Sequence, residues 1–247
     1  MAGLPCVAGL VIVVAAIVHR RLRRRGAEDP GSLRGASVVR LRLRVSGDPW
    51  LYAFARVLLV TAVHIYGRFR VVGVDNLPAT GPVILVANHP SDVDPILLGV
   101  AVPRTLHCMA DVVQFRRGFV GPVIERLGAF PVHKEVPDRA ALERALSLLA
   151  DGRVVALFAE GDLHRRSKPS AFHTGVAFLA AHSGAPVVPV AITGAERIYA
   201  EGRLHWPWVR LTLGSHVTFA GARRGKAAYA RMAEELRDAV IRLHDEE

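Results

Sequence analysis

The sequence predicts an α/β domain, a mixed and mainly parallel sheet flanked by helices, preceded by an N-terminal membrane-associated helical segment. Three observations carry this. From residue 69 onward, short β-branched runs alternate with helix-like segments, the pattern of strands joined by crossover helices. An uncharged stretch, residues 2–18, runs straight into "HRRLRRR". The mean hydropathy, +0.27, is high for an ordinary soluble chain.

The 247 residues suffice for one sizeable domain and an appendage. Residues 2–18, "AGLPCVAGLVIVVAAIV", would reach about 26 Å as a helix, just short of a hydrocarbon core of about 30 Å. The arginines follow the apolar stretch, whereas a secretory signal places its charges first. This favours an anchor with Arg20–Arg25 and the rest of the chain on the cytoplasmic side. A hydrophobic helix docked on the domain is the plainer alternative, but such a helix would rarely end in five arginines. Of the net charge of +10, +7 falls on residues 1–47, where nine Arg face Glu28 and Asp29. Basicity concentrated in this way suits an anionic membrane surface and no nucleic-acid partner. Cys6 and Cys108 make no disulfide framework and fit a reducing compartment. The expected divisions are an anchor with its basic flank (1–25), a linker and basic segment (26–48) and the main domain (49–247).

Within the linker, Gly26, Pro30, Gly31 and Gly35 are turn residues, and "VVRLRLRV" (38–45) reads as a strand or a basic interfacial segment. "WLYAFARVLLVTAVHIYGRFR" (50–70) is apolar, with aromatic residues early and basic ones late. A membrane-interface helix over 49–68 and a core helix both suit it. "FRVVGV" and "PVILVA" are strands separated by the turn-rich "DNLPATG". A helix starts near Asp94-Pro95, with Asp as cap and Pro at the first helical position. "DRAALERALSLLADG" (138–152) is a helix capped by Asp138 and ended by Gly152. "VVALFAE" (154–160) is a buried strand running into a polar loop. Residues 173–184 read as a helix, 186–192 as a strand, 209–219 as a strand or two, and 226–244 as an amphipathic helix. Ligands in parallel sheets bind beyond the carboxyl ends of strands, so Asn88-His89 and Glu160-Gly161, both at strand exits, could meet at one edge.

His89 and Asp94 are five residues apart. On one helix that spacing would separate them by about 140°, but a His in a strand-to-helix loop and an Asp opening the helix can face each other. An aspartate on one imidazole nitrogen fixes the tautomer and frees the other nitrogen as a general base. Asp94 as a mere helix cap is the alternative. Asp92-Val93-Asp94 could be a metal-binding Asp-x-Asp of a sugar-nucleotide enzyme, but no further ligand set stands near it. There is no Gly-x-Ser-x-Gly elbow, and neither cysteine sits in a nucleophile setting. A histidine base without a protein nucleophile points to direct attack by a substrate hydroxyl, as in acyl transfer.

Four blocks in order give the chain a resemblance over residues 66–195. They are "NHPSDVD" (Asn88 to Asp94), "GAFPVHK" (Gly128 to Lys134), "FAEGDLHRRS" (Phe158 to Ser167) and "VVPVAITG" (Val187 to Gly194). Together they resemble the lysophospholipid acyltransferase family, the 1-acylglycerol-3-phosphate acyltransferases. The resemblance implies that family's glycerolipid acyltransferase-like fold. It implies His89 as general base and Asp94 as its orienting partner, with Asn88 and Ser91 supporting. Lys134, Glu160, Gly161, Arg165 and Arg166 would bind the acceptor and its phosphate.

The implied reaction moves a fatty acyl chain from acyl-CoA or acyl-carrier protein to the free hydroxyl of a lysophospholipid. It needs no metal or other cofactor. The partners would be anionic membrane lipids, the lysolipid and the thioester donor, at the cytoplasmic face of the cell membrane. The chain departs from the family pattern at two blocks. Lys134 replaces an Arg, keeping the charge but losing the bidentate fork. Ala159 replaces a Pro, and "DLHRRS" displaces the block's Arg. A lyso-aminolipid or glycolipid acceptor, or a catalytically silent lipid-binding relative, therefore also suits the sequence.

Overall fold

The computed structural model describes residues 68–246 apart from 119, 134–137, 162–168, 201–202 and 206, together with positions 57 and 61. The expected anchor, the linker and nearly all of the 49–67 segment lie outside the described residues. Among the described residues no helix is long and apolar enough to cross a membrane.

Among the described residues nine strands form, in chain order: β1 (Phe69–Val72), β2 (Val83–Ala87), β3 (Leu106–Asp111), β4 (Phe130–Val132), β5 (Val154–Phe158), β6 (Val187–Thr193), β7 (Tyr199–Ala200), β8 (Arg203–Leu204) and β9 (Val209–Leu213). The helices are α1 (Asp94–Ala101), α2 (Val112–Phe115), α3 (Val120–Arg126), α4 (Arg139–Ala150), α5 (Gly175–Ser183) and α6 (Lys226–Asp245). Seven strands make one sheet in the order β1-β9-β6-β2-β5-β3-β4, and β7 pairs with β8 apart from it. All neighbours in the large sheet run parallel except β6 and β9. The mixed, mainly parallel sheet expected from the sequence is the one observed.

β2 shows why the fold closes around its centre. All five of its residues are buried, the continuous apolar run of a strand covered on both faces. Ile84 and Val86 join the core under α4, α5 and α6, while Val83, Leu85 and Ala87 join the core under α1. Asp138 caps α4, its side chain accepting from Ala141 N–H at 2.9 Å, as its position before an Ala/Leu-periodic run predicts. α5 ends at Gly184 in the left-handed conformation, where a Cβ would be strained.

The amino-terminal edge of the sheet is tied by Arg104. Its guanidinium donates to Pro78 O (2.9 Å), Gly81 O (2.6 Å) and Gly152 O (3.0 Å), joining the turns that enter β2 and β5. Arg104→Ala should lower unfolding free energy by about 1–3 kcal/mol, the cost of orphaning partly buried carbonyls. The kcat of the folded fraction should be unchanged, because the candidate site lies at the opposite edge. Urea melts alongside activity check both.

Candidate active site

The chain leaves β2 through α1, which packs on one face of the sheet, and leaves β5 through α5, which packs on the other. β2 and β5 are neighbours, so their carboxyl ends flank a crevice at a point where the connections diverge, the usual ligand position in such sheets. His89 and Glu160 each follow one of these strands.

Asn88 extends β2 by side-chain pairing. Its Nδ2 donates to Ile192 O at 2.9 Å, and Ile192 N–H donates to its Oδ1 at 2.8 Å. A buried amide satisfied on both sides fixes the strand exit against β6, so the first and fourth sequence blocks meet here. The next residue turns out of the sheet. His89 Nδ1 lies 2.8 Å from Asp94 Oδ2, the His side chain 16% exposed and the Asp fully buried. Ser91 N–H donates to the same Asp94 oxygen at 2.8 Å. Ser91 therefore supports the turn through its backbone. Burial pushes the Asp94 carboxyl up to about 6, opposed by the hydrogen bond and charge of His89 and by Ser91 N–H. An ionised carboxylate only accepts, so Nδ1 carries the proton and Nε2 presents a lone pair. The imidazole stacks on Phe158, ring centroids 4.2 Å apart and planes 23° apart, which holds its plane at the crevice.

Glu160 does not face outward as an acceptor-binding carboxylate would. It is 5% exposed. Its Oε1 accepts His89 N–H at 2.9 Å, and its Oε2 accepts Ser170 N–H at 2.9 Å and Ser170 Oγ–H at 2.8 Å. Arg237 of α6 in turn donates Nε–H to Ser170 O at 3.0 Å. Glu160 is thus a strut between the histidine's backbone and the chain returning from the 161–169 loop. Gly161 has φ +76°, a left-handed conformation that favours glycine; a Cβ there would also press on the exposed His173 side chain, which would have to shift. Lys134, Arg165 and Arg166 lie outside the described residues.

Asp92 is exposed while Asp94 is buried and committed to His89, so the two do not converge as an Asp-x-Asp ligand pair. No group of three or more His, Cys, Asp or Glu suited to a metal forms among the described residues. Sequence reasoning gave no role to Phe158 as a ring support, and missed Ser170 and Arg237 altogether. Phe158 opens the third block and was open to notice. Ser170 and Arg237 carry no local signal, since their roles arise from the packing of α6.

Residues 68–193 match the family described as Acyltransferase, roughly half of the chain. The chain is 28% identical over 158 residues to the 1-acyl-sn-glycerol-3-phosphate acyltransferase of Bacillus subtilis, covering 62% of this chain and 78% of that one. It is 25% identical over 181 residues to a chloroplastic 1-acyl-sn-glycerol-3-phosphate acyltransferase of Brassica napus, covering 68% of this chain and about half, 52%, of that one. The fold is similar to the crystal structure of the 1-acyl-sn-glycerophosphate (LPA) acyltransferase PlsC from Thermotoga maritima, with TM-score 0.60, 24% identity and 78% of each chain covered. Asn88, the His89–Asp94 pair, Glu160 and Ile192 all fall inside the family match, and the chain is an enzyme of the acyltransferase family.

Proposed function

We propose that this acyltransferase moves a fatty acyl chain from acyl-CoA or acyl-carrier protein to the free hydroxyl of 1-acylglycerol-3-phosphate, giving phosphatidic acid. The observation that carries the chemistry is the 2.8 Å His89–Asp94 pair at the β2/β5 crevice, which leaves Nε2 as a base. The acceptor rests on the similarity to relatives named for that substrate.

His89 Nε2 takes the proton of the acceptor hydroxyl as its oxygen bonds to the thioester carbonyl carbon. The tetrahedral intermediate collapses, the carbon–sulfur bond breaks, and the thiolate leaves with the proton from the imidazolium. Ester and thiol are the products, with no acyl-enzyme. Asp94 holds the tautomer and steadies the transient positive charge. Lys134, Arg165 and Arg166 supply the cations for the acceptor's phosphate. Residues 2–18, their basic flank and the 49–68 segment hold the site at the cytoplasmic face of an anionic membrane.

The test is the purified full chain with labelled acyl thioester and a panel of lysolipids. Lysophosphatidic acid should be acylated with kcat/KM at least tenfold above lyso-aminolipid or glycolipid acceptors. Faster turnover of another acceptor would reassign the substrate. Liposome flotation with no thioester consumed on any lysolipid would make the chain a silent lipid-binding relative.

A further inference from the structure

Two short stretches outside the four blocks combine branched or aromatic apolar residues with arginine: "VVQFRRGF" (112–119) and "RLHWPW" (203–208). Among the described residues, the two most exposed large apolar side chains come from them, Trp208 at 69% and Val113 at 51%. Single exposed apolar residues are ordinary. What sets these two apart is their placement.

The sheet puts both on the edge that carries His89. β9 runs against β6, with Arg210 opposite Thr193, the last residue of β6. Trp208, two residues earlier in the chain, therefore stands past the carboxyl end of β6. Asp111 ends β3, which runs parallel to β5, so Val113 in α2 stands past the carboxyl end of β3. In the order β9-β6-β2-β5-β3, the β2/β5 crevice lies between them. Four strand spacings, about 19 Å, separate β9 from β3.

The backbone fixes both positions. Gly194 has φ +79°, and a Cβ on it would meet Trp208 O, so glycine there lets the two backbones pack. Asp111 caps α2 by accepting Val113 N–H at 2.9 Å. Exposed arginines belong to each flank: Arg116 and Arg117 follow Val113, and Arg203 stands in the β7–β8 hairpin that precedes Trp208. Of the acidic groups nearby, Asp111 serves as the cap and Glu196 lies 3.4 Å from Arg197, while Asp92 is exposed on the loop between the flanks. Each flank thus joins an exposed apolar side chain to guanidinium groups, the composition that settles at the interface of an anionic bilayer. The chain also joins the domain at this edge, where Val209 N–H donates to Arg68 O at 2.8 Å.

We propose that this edge of the catalytic domain docks on an anionic bilayer, with Trp208 and Val113 entering the interface and Arg116, Arg117 and Arg203 on lipid phosphates. This rests on the reading of the acceptor as a membrane lysolipid. Contacts on both flanks set the mouth of the crevice against the lipid, so an acceptor reaches His89 without drawing its acyl chain through water. An acidic carrier protein seated on both flanks would close the mouth to that acceptor, so the bilayer is the partner that fits.

The test uses the full chain carrying Trp50→Phe and Trp206→Phe, which leaves Trp208 as its remaining tryptophan. On vesicles of phosphatidylcholine and phosphatidylglycerol, lipids brominated near the top of the acyl chain should quench Trp208 fluorescence. In turnover by the otherwise wild-type chain, Trp208→Ala and Val113→Glu should each raise the apparent KM for lysophosphatidic acid in those vesicles about tenfold, the worth of part of an apolar side chain returned to water. Arg116→Ala together with Arg117→Ala should raise it about 25-fold, about fivefold for each cation lost from the surface. With short-chain lysophosphatidic acid below its micelle concentration, all of these variants should match the wild type. Trp208 left unquenched on a vesicle-bound chain, as it would be if the chain's own residues 50–67 covered it, would overturn the proposal. So would an equal loss with the monomeric acceptor, or a change confined to the KM for acyl-carrier protein. Absence of lysolipid turnover by the wild type would refute the acceptor reading instead, and the quenching would still judge the docking face.

Discussion

His89→Ala should lower kcat/KM about 10²–10⁴-fold, the range for losing a positioned general base, in a protein that stays folded. Asp94→Asn should lose nearly as much by a different route. His89 Nδ1 and Ser91 N–H meet the same Asp94 oxygen. An Asn whose amide nitrogen takes that place gives up the Ser91 bond and presents N–H to Nδ1, which forces the proton onto Nε2 and removes the base. Because the two residues act as a unit, the double variant should be little worse than either single one. Stability should respond in the opposite sense. The folded-state pKa of Asp94, about 6, lies above its ordinary value of 3.8, so between those values the folded state holds a proton that the unfolded chain has released. Stability linked to this group is complete below about pH 4 and is lost as pH rises toward 6. The difference corresponds to about 3 kcal/mol. Asp94→Asn, which cannot ionise, should therefore gain on the wild type as pH rises from 4 to 7, whatever constant offset its altered bonds add. Urea unfolding at four pH values across that range measures it. A flat difference would show that the buried carboxylate is not strained.

Much of this was legible in the sequence, and the exceptions have physical causes. The helices expected at 138–152, 173–184 and 226–244 form at Arg139–Ala150, Gly175–Ser183 and Lys226–Asp245, because caps and apolar period are local signals. β2, β5 and β6 announce themselves as unbroken apolar runs. β3 and β4 do not. β3 is "LHCMAD", with a histidine in its interior. His107 is buried there, its Nδ1 3.1 Å from Gly128 O, a partner that only the folded chain supplies. β4 is three residues long with a central proline, tolerated because it is an edge strand. The reversal of β9 against β6 likewise has no local signature. In the site, spacing allowed His89 and Asp94 to face each other but left Asp94 equally open as a helix cap. The family resemblance paired them, and they lie 2.8 Å apart. The direction of Glu160 was not legible, because a Glu-Gly turn reads the same whether its carboxylate faces a ligand or the chain.

That direction makes Glu160 the position where kinetics can separate two roles. Glu160→Ala would leave His89 N–H, Ser170 N–H and Ser170 Oγ–H without their carboxylate. Unmet buried donors cost about 1–3 kcal/mol each, partly relieved if water enters, so the loss of stability should total about 2–5 kcal/mol. In the folded fraction, the His89 backbone loses its fixed point, and a shift of about 1 Å at the base is worth about 10² in rate. Glu160→Gln should fall between, since its oxygen can serve one side while its amide meets donors on the other. Ser170→Ala removes the hydroxyl bond but keeps the backbone one, so it should cost about 1 kcal/mol and change turnover only a few-fold. A strut acts on the base, and an acceptor-binding carboxylate acts on the acceptor. Glu160→Gln should therefore depress kcat with the acceptor KM nearly unchanged. A raised acceptor KM at unchanged kcat would mean that Glu160 turns outward to the substrate during the reaction. The fall in kcat is the expected result, because turning outward would strand the N–H that positions His89 at the moment the base is needed.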